Sequence, residues 1–502
     1  MVEKNFKQLI KHNWEDKIGI ILFCLSLIVL EIIIVMAFID PSIMVDDAFT
    51  INLITFNPLN LIKYTAFDVH PPLYYLILKG VLELFNTIHI PYNLITLGKC
   101  VSIIPIIILL IFSATKIKKE FGWLTAGIFA LAITSMPEIA FHSIQLRMYT
   151  WVLLFVFLTF YSAYEIIKNP NKRINWIFLV IFGLLSSFTH YYGTICTAII
   201  YIILILWFLI SEMEYESKMS NLKKWIVCVF ISSVIYLPWV LYVMNNLKQH
   251  TSTFWVGPIG FKDVIDYIFF MNGPFSNPYT IPHDILGILM IVAFIILILS
   301  SLWFKENNSK NGFISNGFIL PILTIIVGII LSILIRPVFI ARYLVPCLGV
   351  LWLCFAYLLS KNYSKKQIFI PILIIFLLIS TVGTCNFINI ELNNTHNFEE
   401  HNEFMSTISS TDLIIHTRTQ TFKTDRYFWE NNSNVIIDEL QPSNINNTLN
   451  SGHNVWLFDS FHNNTDNKEL IDNFTKMGYN LQPYKLNYVQ QVPFYIYKVT
   501  PK

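Results

Sequence analysis

The sequence predicts a polytopic α-helical membrane protein with about eleven transmembrane helices, interfacial helices and a small C-terminal α/β soluble domain. Hydrophobic residues make up 55% of the 502 positions and charged residues only 13%, far below the roughly 25% charged residues of soluble domains. Uninterrupted apolar runs recur along the chain, and the Lys and Arg residues cluster between them. A soluble core could not bury this much apolar surface, so we expect a membrane to cover part of it.

The apolar runs are long enough to be membrane spans. The runs at 18–39 and 286–303 each approach the roughly 20 residues that cross a bilayer as a helix. A Lys-rich segment precedes the first run, which lacks a small-residue cleavage site, so we expect a retained span rather than a signal peptide. The further candidate spans are 95–114, 122–140, 148–167, 176–190, 193–211, 225–244, 285–304, 318–335, 344–360 and 368–385.

Segment 72–88 is the ambiguous one, since it is apolar but short and carries Lys79 and Glu83. If this segment lies flat in the interface, alternate loops contain eighteen and six basic residues. The positive-inside rule then places the richer side and the N-terminus in the cytosol. Counting 72–88 as a span would put every later basic loop outside, so we expect an amphipathic interfacial helix.

The sequence pattern changes at about residue 386, where the long apolar runs end. Short alternating stretches at 412–416, 435–438, 455–459 and 494–499 predict strands, and 467–477 predicts a helix. We therefore expect two domains. Residues 1–385 form the transmembrane domain, with the first outer loop at 40–71, and residues 386–502 form an α/β domain outside the cytosol.

Composition also limits the function. The net charge of +2 is too small to suggest nucleic-acid binding. Seven cysteines lie almost wholly inside apolar runs without a CxxC pattern, so we interpret them as small core residues rather than metal ligands. Polar residues near membrane depth remain the functional candidates, because their burial is costly.

An acidic pair, Asp46 and Asp47, follows the first span at the start of a predicted short helix. Adjacent carboxylates next to lipid should hold at least one raised pKa. Such a group can accept a proton from an attacking hydroxyl, or the pair can hold a divalent cation. The alternative is a helix N-cap with a first-turn acid.

The same loop ends in His70, followed by Pro71, Pro72, Leu73 and Tyr74. The two prolines fix the chain before the interfacial helix, so His70 and Tyr74 should face the outer membrane surface. His70 could donate to a phosphate or shuttle a proton. The alternative is a surface histidine at a helix start.

Three further outer loops are short and polar, and should converge over one face of the helix bundle. Loop 138–149 carries Glu138, His142, Arg147 and Tyr149, loop 189–193 carries His190 and Tyr191, and loop 336–343 carries Arg336, Arg342 and Tyr343. Arginine binds phosphate through a planar fork, so this face suits an anionic lipid headgroup. Arg336 can equally be a snorkelling anchor, and Glu138 either a second acid of the site or an ordinary interfacial acid.

These elements together resemble the GT-C glycosyltransferases, in the branch of the dolichyl-phosphate-mannose protein mannosyltransferases and aminoarabinose transferases. The resemblance covers roughly residues 1–390. It is carried by Asp46-Asp47, His70-Pro71-Pro72-Leu73-Tyr74-Tyr75, Arg147-Met148-Tyr149, His190-Tyr191-Tyr192-Gly193 and Arg342-Tyr343-Leu344-Val345-Pro346 in this order. Two departures are Asp47, where the family often has Glu, and Lys99, where many relatives carry Arg.

The resemblance implies inverting transfer of a hexose-type, mannosyl-like sugar from a polyprenyl-phosphate donor to an acceptor hydroxyl of a protein, glycan or lipid. It implies a multi-pass protein, which we expect in a prokaryotic cell membrane. Asp46 would be the general base and Asp47 would orient the site or help bind a divalent cation, whose need stays open. The implied donor-binding residues are His70, Tyr74, Arg147, Tyr149, His190, Tyr191, Arg342 and Tyr343.

Two other functions remain open. A secondary transporter would place its ions and substrate near mid-membrane on broken helices and often has internal repeats, whereas here the acids gather on one face and no repeat is evident. A flippase or polymerase of lipid-linked sugars would share the lipid ligand without needing an acidic base after the first span.

Overall fold

The computed structural model describes residues 2–66, 70–247, 256–270, 281–303, 311–335, 337–416, 436–437, 442–460, 467–489 and 492–502. The chain forms two compact units. The first comprises residues 1–34, 56–91 and 99–387, and the second comprises 35–55, 92–98 and 388–502.

The helices account for most of the described chain, and their bounds follow in chain order. They are α1 Val2–Ile39, α2 Val45–Thr55, α3 Pro58–Thr65, α4 Leu73–Thr87, α5 Leu94–Phe112, α6 Lys118–Ser135, α7 Pro137–Ser143, α8 Tyr149–Lys168, α9 Arg173–Thr189, α10 Tyr191–Ile210, α11 Tyr215–Leu247, α12 Phe261–Phe269, α13 Ile281–Trp303, α14 Gly312–Ser315, α15 Ile319–Leu334, α16 Val345–Lys361, α17 Lys366–Thr407, α18 Pro442–Asn450 and α19 Asn467–Lys476. A π-helical turn, Ser113–Ile117, joins α5 to α6, and a 3-10 turn, Ala341–Leu344, precedes α16.

The described residues contain seven helical segments that are long and apolar enough to cross a membrane, and three shorter apolar helices. One of the seven, Leu94–Ser135, includes both α5 and α6. Gly122 interrupts it with φ +90°, and the Ser113 hydroxyl donates to the Ala126 carbonyl oxygen at 2.8 Å. A continuous helix would hold two residues that far apart in sequence about 20 Å apart, so the chain reverses here. The segment therefore supplies two spans, which brings the apolar helices to eleven, and the predicted polytopic fold is confirmed.

Helix α4 matches the ambiguous segment 72–88. Its 15 residues are about 22 Å long at 1.5 Å per residue, which is shorter than the roughly 30 Å hydrocarbon core of a bilayer. Tyr74, Tyr75, Leu78 and Leu82 form its buried face, and Lys79 pairs with the exposed Glu83 at 3.2 Å. This amphipathic character suits an interfacial helix, while the sidedness of the loops stays a prediction.

The C-terminal part of the second unit contains a five-stranded sheet in the order β2-β1-β3-β5-β4. The strands are β1 Leu413–His416, β2 Ile436–Ile437, β3 Val455–Ser460, β4 Tyr479–Val489 and β5 Val492–Pro501. Strand β1 pairs in parallel with β2 and β3, whereas β5 is antiparallel to both β3 and β4. Apolar clusters cover both faces of this sheet, one around Phe458 and Phe404, the other around Leu457 and Phe474. A small α/β fold is therefore present where the sequence predicts it.

Two features of this region differ from the sequence prediction. Helix α17 does not end with the span at 385 but continues to Thr407, because Phe404 and Met405 bury against the sheet. Strand β4 is absent from the prediction, since Pro483 and polar residues such as Gln482 and Asn487 hide its alternation. The functional division of the chain at 385/386 stays a prediction.

Candidate active site

The acidic pair lies in the first turn of α2, in the second unit. Asp47 is 2% exposed, and its Oδ2 accepts the backbone N–H of Met44 at 3.0 Å. This bond from the third helical residue back to the N-cap backbone is half of a capping box. The Asp46 carboxylate lies one position earlier in a partly exposed position. Asp47 therefore caps the N-terminus of α2, which is the alternative role proposed for the acidic pair.

In the first unit, a one-residue connection joins α9 to α10. His190 adopts an extended conformation (φ −156°, ψ 141°) between the two helices. Such a tight reversal needs a close approach of the helices, and a Cβ on Gly193 would lie 2.5 Å from the Ser186 carbonyl oxygen. The glycine of the His-Tyr-Tyr-Gly motif therefore permits the turn that presents His190.

The N-cap geometry of α10 fixes the proton on the His190 ring. Its Nδ1 accepts the backbone N–H of Tyr192 at 3.0 Å, so a neutral ring must carry its hydrogen on Nε2. The residue is 1% exposed, and Nε2 has no hydrogen-bond partner among the described residues. A buried donor without an acceptor is costly. His190 therefore offers an N–H group to a ligand.

Positive side chains surround this donor. Burial, followed by repulsion from Arg147 and Arg342, lowers the pKa of His190 to about 3. Burial also holds the pKa of His70 well below its ordinary value, with further repulsion from Arg147, His190 and Arg342. The two imidazole rings lie 5.1 Å apart. Both histidines are thus neutral near pH 7, and the fixed positive charge comes from the arginines.

Aromatic rings enclose the histidine pair. The Tyr343 ring lies 5.0 Å from His190 and 6.3 Å from His70, both edge-on. Tyr192 stacks on Tyr343 at 5.0 Å, and Tyr149 lies 6.0 Å from His190. These rings exclude water around the histidines, which strengthens the electrostatic attraction of an anion for the arginines.

Hydrogen bonds that join α4, α5 and α8 position Arg147. Arg147 donates from Nη1 to the Tyr75 hydroxyl at 3.4 Å, and the neighbouring Tyr74 hydroxyl lies 3.2 Å from Oγ of Ser102. The Thr150 hydroxyl donates to the Ser102 carbonyl oxygen at 2.6 Å, which ties the first turn of α8 to α5. Together with the contacts of His70, His190 and Tyr343, these bonds bring residues from four predicted motifs into one cluster, which is buried apart from the partly exposed Arg342.

This cluster can bind an oxyanion, since guanidinium groups and a neutral imidazole N–H are all hydrogen-bond donors. We call the set of His70, Arg147, His190 and Arg342 the anion cluster. Residues from α9–α10, the 3-10 turn and the loops before α4 and α8 form it. These loops are separated from one another in sequence, yet they lie together within the first unit. The polar loops therefore converge there as predicted.

An apolar groove lies in the same unit as the anion cluster. It has a volume of about 500 Å³ and is lined mainly by Ile259, Phe261, Val264, Ile329 and Ile333 of the α12 and α15 regions. Ser332, also in its wall, accepts the Phe339 backbone N–H at 3.0 Å.

Phe339 connects the groove to the anion cluster. Its ring stacks on Tyr192 at 5.2 Å, and Tyr192 in turn stacks on Tyr343. Packed aromatic rings thus extend from the groove wall to the anion cluster.

Several important contacts were not predicted. Tyr192, rather than the predicted Tyr191, stacks on Tyr343, while Tyr191 packs against the apolar cluster of Ala66, Trp239 and Val243. Tyr75, which accepts the hydrogen bond from Arg147, belongs to the His-Pro-Pro motif but is not among the predicted donor-binding residues. The helical phase after the His190 cap decides which tyrosine faces the site, and sequence order alone does not reveal it.

Three predictions are not tested by contacts. Arg336 lies outside the described residues. No group of three or more His, Cys, Asp or Glu side chains in the described part of the chain is arranged to hold a metal ion, and the possible divalent cation stays a prediction. Asp46 and Asp47 belong to the second unit, so their roles toward the anion cluster also remain predictions.

Two solved structures share this fold. One is ArnT from Cupriavidus metallidurans in the apo state, 8% identical in sequence, with a TM-score of 0.57. The other is the same protein bound to undecaprenyl phosphate, 10% identical, with a TM-score of 0.52. Each alignment covers 95% of this chain and 97% of the ArnT chain. No family model and no curated protein sequence matches the chain.

The protein is therefore an integral multi-pass membrane protein that shares the fold of ArnT. The resemblance inferred from the five motifs is confirmed at the level of the fold, and it extends beyond the predicted limit of residue 390. At these identities the likeness defines the fold, and activity has to be argued from the site.

Proposed function

We propose that this protein is a membrane glycosyltransferase. It moves a hexose-type, mannosyl-like sugar from a polyprenyl-phosphate donor to a hydroxyl of a protein, glycan or lipid on the non-cytosolic face. The observation that carries the proposal is the buried Nε2–H of His190, which has no acceptor within the described ranges of the chain and lies near Arg147 and Arg342. The ArnT fold supports the same ligand chemistry, since one ArnT structure holds undecaprenyl phosphate.

The donor phosphate binds the anion cluster. His190 donates from Nε2, and Arg147 and Arg342 supply the positive charge. The isoprenoid chain extends along the apolar groove, whose wall is connected to the anion cluster through Phe339 and Tyr192. A phosphate site that packed aromatic rings connect to an apolar groove suits a ligand with one charged and one hydrocarbon end.

The reaction is an inverting substitution at the anomeric carbon. The acceptor oxygen bonds to this carbon while the bond from the carbon to the phosphate oxygen breaks. The electron pair leaves with the polyprenyl phosphate, and Arg147 and Arg342 stabilise the developing negative charge. Phosphate is a good leaving group, so no acid has to protonate it.

Asp46 takes the proton of the acceptor hydroxyl as general base. The choice between the two acids is supported by their local structure, because Asp47 is buried and its Oδ2 caps α2 through Met44. Asp47 therefore orients the helix start. The carboxylate of Asp46 is in the partly exposed position, where an acceptor can reach it.

The test is transfer by Asp46→Asn in membranes supplied with polyprenyl-phosphate sugars. We expect a loss of about 100-fold or more, the contribution of a general base, because asparagine cannot accept the proton. Expression should remain normal, since the capping carboxylate of Asp47 is retained.

Asp472→Asn is the matched control, because Asp472 is exposed on α19. This variant should transfer sugar at the wild-type rate. Undiminished transfer by Asp46→Asn would contradict the mechanism, whereas an absence of transfer by the wild-type protein would favour the alternative of a transporter or flippase of lipid-linked sugars.

A further inference from the structure

Helix α7 carries a buried acid–base pair outside the anion cluster. Glu138 and His142 lie one helical turn apart, and each side chain is 1% exposed. Glu138 Oε2 lies 3.5 Å from His142 Nε2, and neither carboxylate oxygen of Glu138 has a hydrogen-bond partner among the described residues. A buried carboxyl group in this state requires an explanation.

Gln145 determines where the protons of this pair are. The His142 Nδ1 atom lies 2.7 Å from Oε1 of Gln145, an amide oxygen that can only accept, so Nδ1 carries a hydrogen. Burial disfavours an unprotonated, unpaired carboxylate on Glu138, so we assign one further proton to His142 Nε2 or to the Glu138 carboxyl group. The pair is either imidazolium and carboxylate, or imidazole and carboxylic acid. In both forms at least one oxygen of Glu138 is available to accept a hydrogen bond.

The pair is close to the anion cluster but chemically different from it. The His142 ring packs against Tyr149 at 4.5 Å, and Tyr149 lies 6.0 Å from His190. Burial alone raises the pKa of Glu138 well above its ordinary value. The pair therefore presents hydrogen-bond acceptors, whereas the anion cluster presents donors.

We propose that Glu138 and His142 bind the sugar of the donor lipid, with Glu138 accepting hydrogen bonds from ring hydroxyl groups. This assignment rests on the proposed function, since it places a sugar next to the phosphate. A glycosyl phosphate has donors on its sugar and acceptors on its phosphate, and the two neighbouring sites have the complementary chemistry. Tyr149 lies between them and can pack against the sugar ring.

The experiment compares the binding of two kinds of lipid to the detergent-solubilised full-length protein. The probes are undecaprenyl phosphate alone and undecaprenyl phosphate carrying a mannosyl, glucosyl or 4-amino-4-deoxyarabinosyl group. Wild type should bind at least one glycosylated lipid about ten-fold more tightly than the bare lipid, as expected for hydrogen bonds to a buried carboxyl group. Glu138→Gln should bring this ratio close to one and leave the affinity for the bare lipid unchanged.

Glu83→Gln is the control, since Glu83 is exposed on α4 and should keep the wild-type ratio. A ratio that survives in Glu138→Gln would overturn the proposal, as would a wild-type ratio of one for all three sugars. An equal loss of affinity for both lipids in Glu138→Gln would overturn it too, because this result indicates that Glu138 has a structural role. Binding needs no catalysis, so these failures are distinguishable from failure of the Asp46 mechanism.

Discussion

At the scale of single residues, the site depends on how local hydrogen bonds fix protons. His190 can present Nε2–H only because its Nδ1 caps α10 through the Tyr192 backbone. The sequence identifies His70, Arg147, His190 and Arg342 as candidates, since polar residues in short loops between apolar spans are few. The protonation of these residues depends on packing that loop motifs do not encode.

The lowered pKa of His190 predicts that acid destabilises the protein. The unfolded chain protonates this histidine near pH 6.5, whereas the folded protein holds its pKa at about 3. The contribution of neutral His190 to the free energy of unfolding is therefore fully present above about pH 6.5, and it is lost as the pH falls toward 3. At pH 5 the expected loss from this residue is about 2 kcal/mol.

His190→Asn removes the titrating imidazole, and the asparagine side chain keeps an N-cap acceptor for α10. We expect the fall in melting temperature between pH 7 and pH 5, measured in detergent micelles without lipid, to be smaller in this variant than in wild type. His89→Asn should retain the wild-type fall, because His89 is exposed and its positive φ of 54° suits asparagine. Equal pH dependence in wild type and His190→Asn would contradict the assignment.

At the scale of helices and strands, hydropathy predicts where elements exist better than where they end. The α5–α6 hairpin was predicted as two spans because charged residues interrupt the apolar run, and Gly122 supplies the reversal. The extension of α17 to Thr407 escaped prediction, since it depends on the contact of Phe404 with the sheet. Strand β4 escaped for a similar reason, because its partner β5, rather than its own pattern, stabilises it.

Helix contacts through glycine give a prediction at this scale. A Cβ on Gly19 of α1 would lie 2.2 Å from the Trp123 carbonyl oxygen, and one on Gly127 of α6 would lie 2.0 Å from the Gly19 carbonyl oxygen. Small residues allow such close approach between membrane helices. Gly19→Ala should therefore lower the free energy of unfolding by about 1–3 kcal/mol through overpacking.

Gly80→Ala is the matched control on α4, since no atom lies within 4 Å of its added Cβ. It should leave the free energy of unfolding unchanged or raise it by about 0.5–1 kcal/mol, because alanine has less backbone freedom than glycine in the unfolded chain. Both changes are measured as shifts in thermal unfolding in the same detergent. A Gly19→Ala variant as stable as Gly80→Ala would show that α1 and α6 do not pack through this glycine.

At the scale of the whole molecule, the sequence predicts two independent properties. The number of apolar helices follows from hydropathy, and the structure confirms it, together with the ArnT fold over 95% of the chain. The orientation in the membrane follows instead from the unequal distribution of Lys and Arg among the loops. The same helix packing is compatible with either orientation, so labelling of the loops measures the orientation directly.

The orientation predicts which thiols a membrane-impermeant reagent can reach in intact cells. Asn52→Cys on α2 and Tyr484→Cys on β4 both replace exposed residues, and both should be labelled from outside. Lys119→Cys, at an exposed position in the first turn of α6, should be labelled only after the membrane is permeabilised. Wild-type protein with its seven native cysteines gives the background. Labelling of Lys119→Cys in intact cells, with protection of Asn52→Cys, would show that the orientation is the reverse of the predicted one. It would place Asp46 in the cytosol, where the proposed transfer on the non-cytosolic face could not use it.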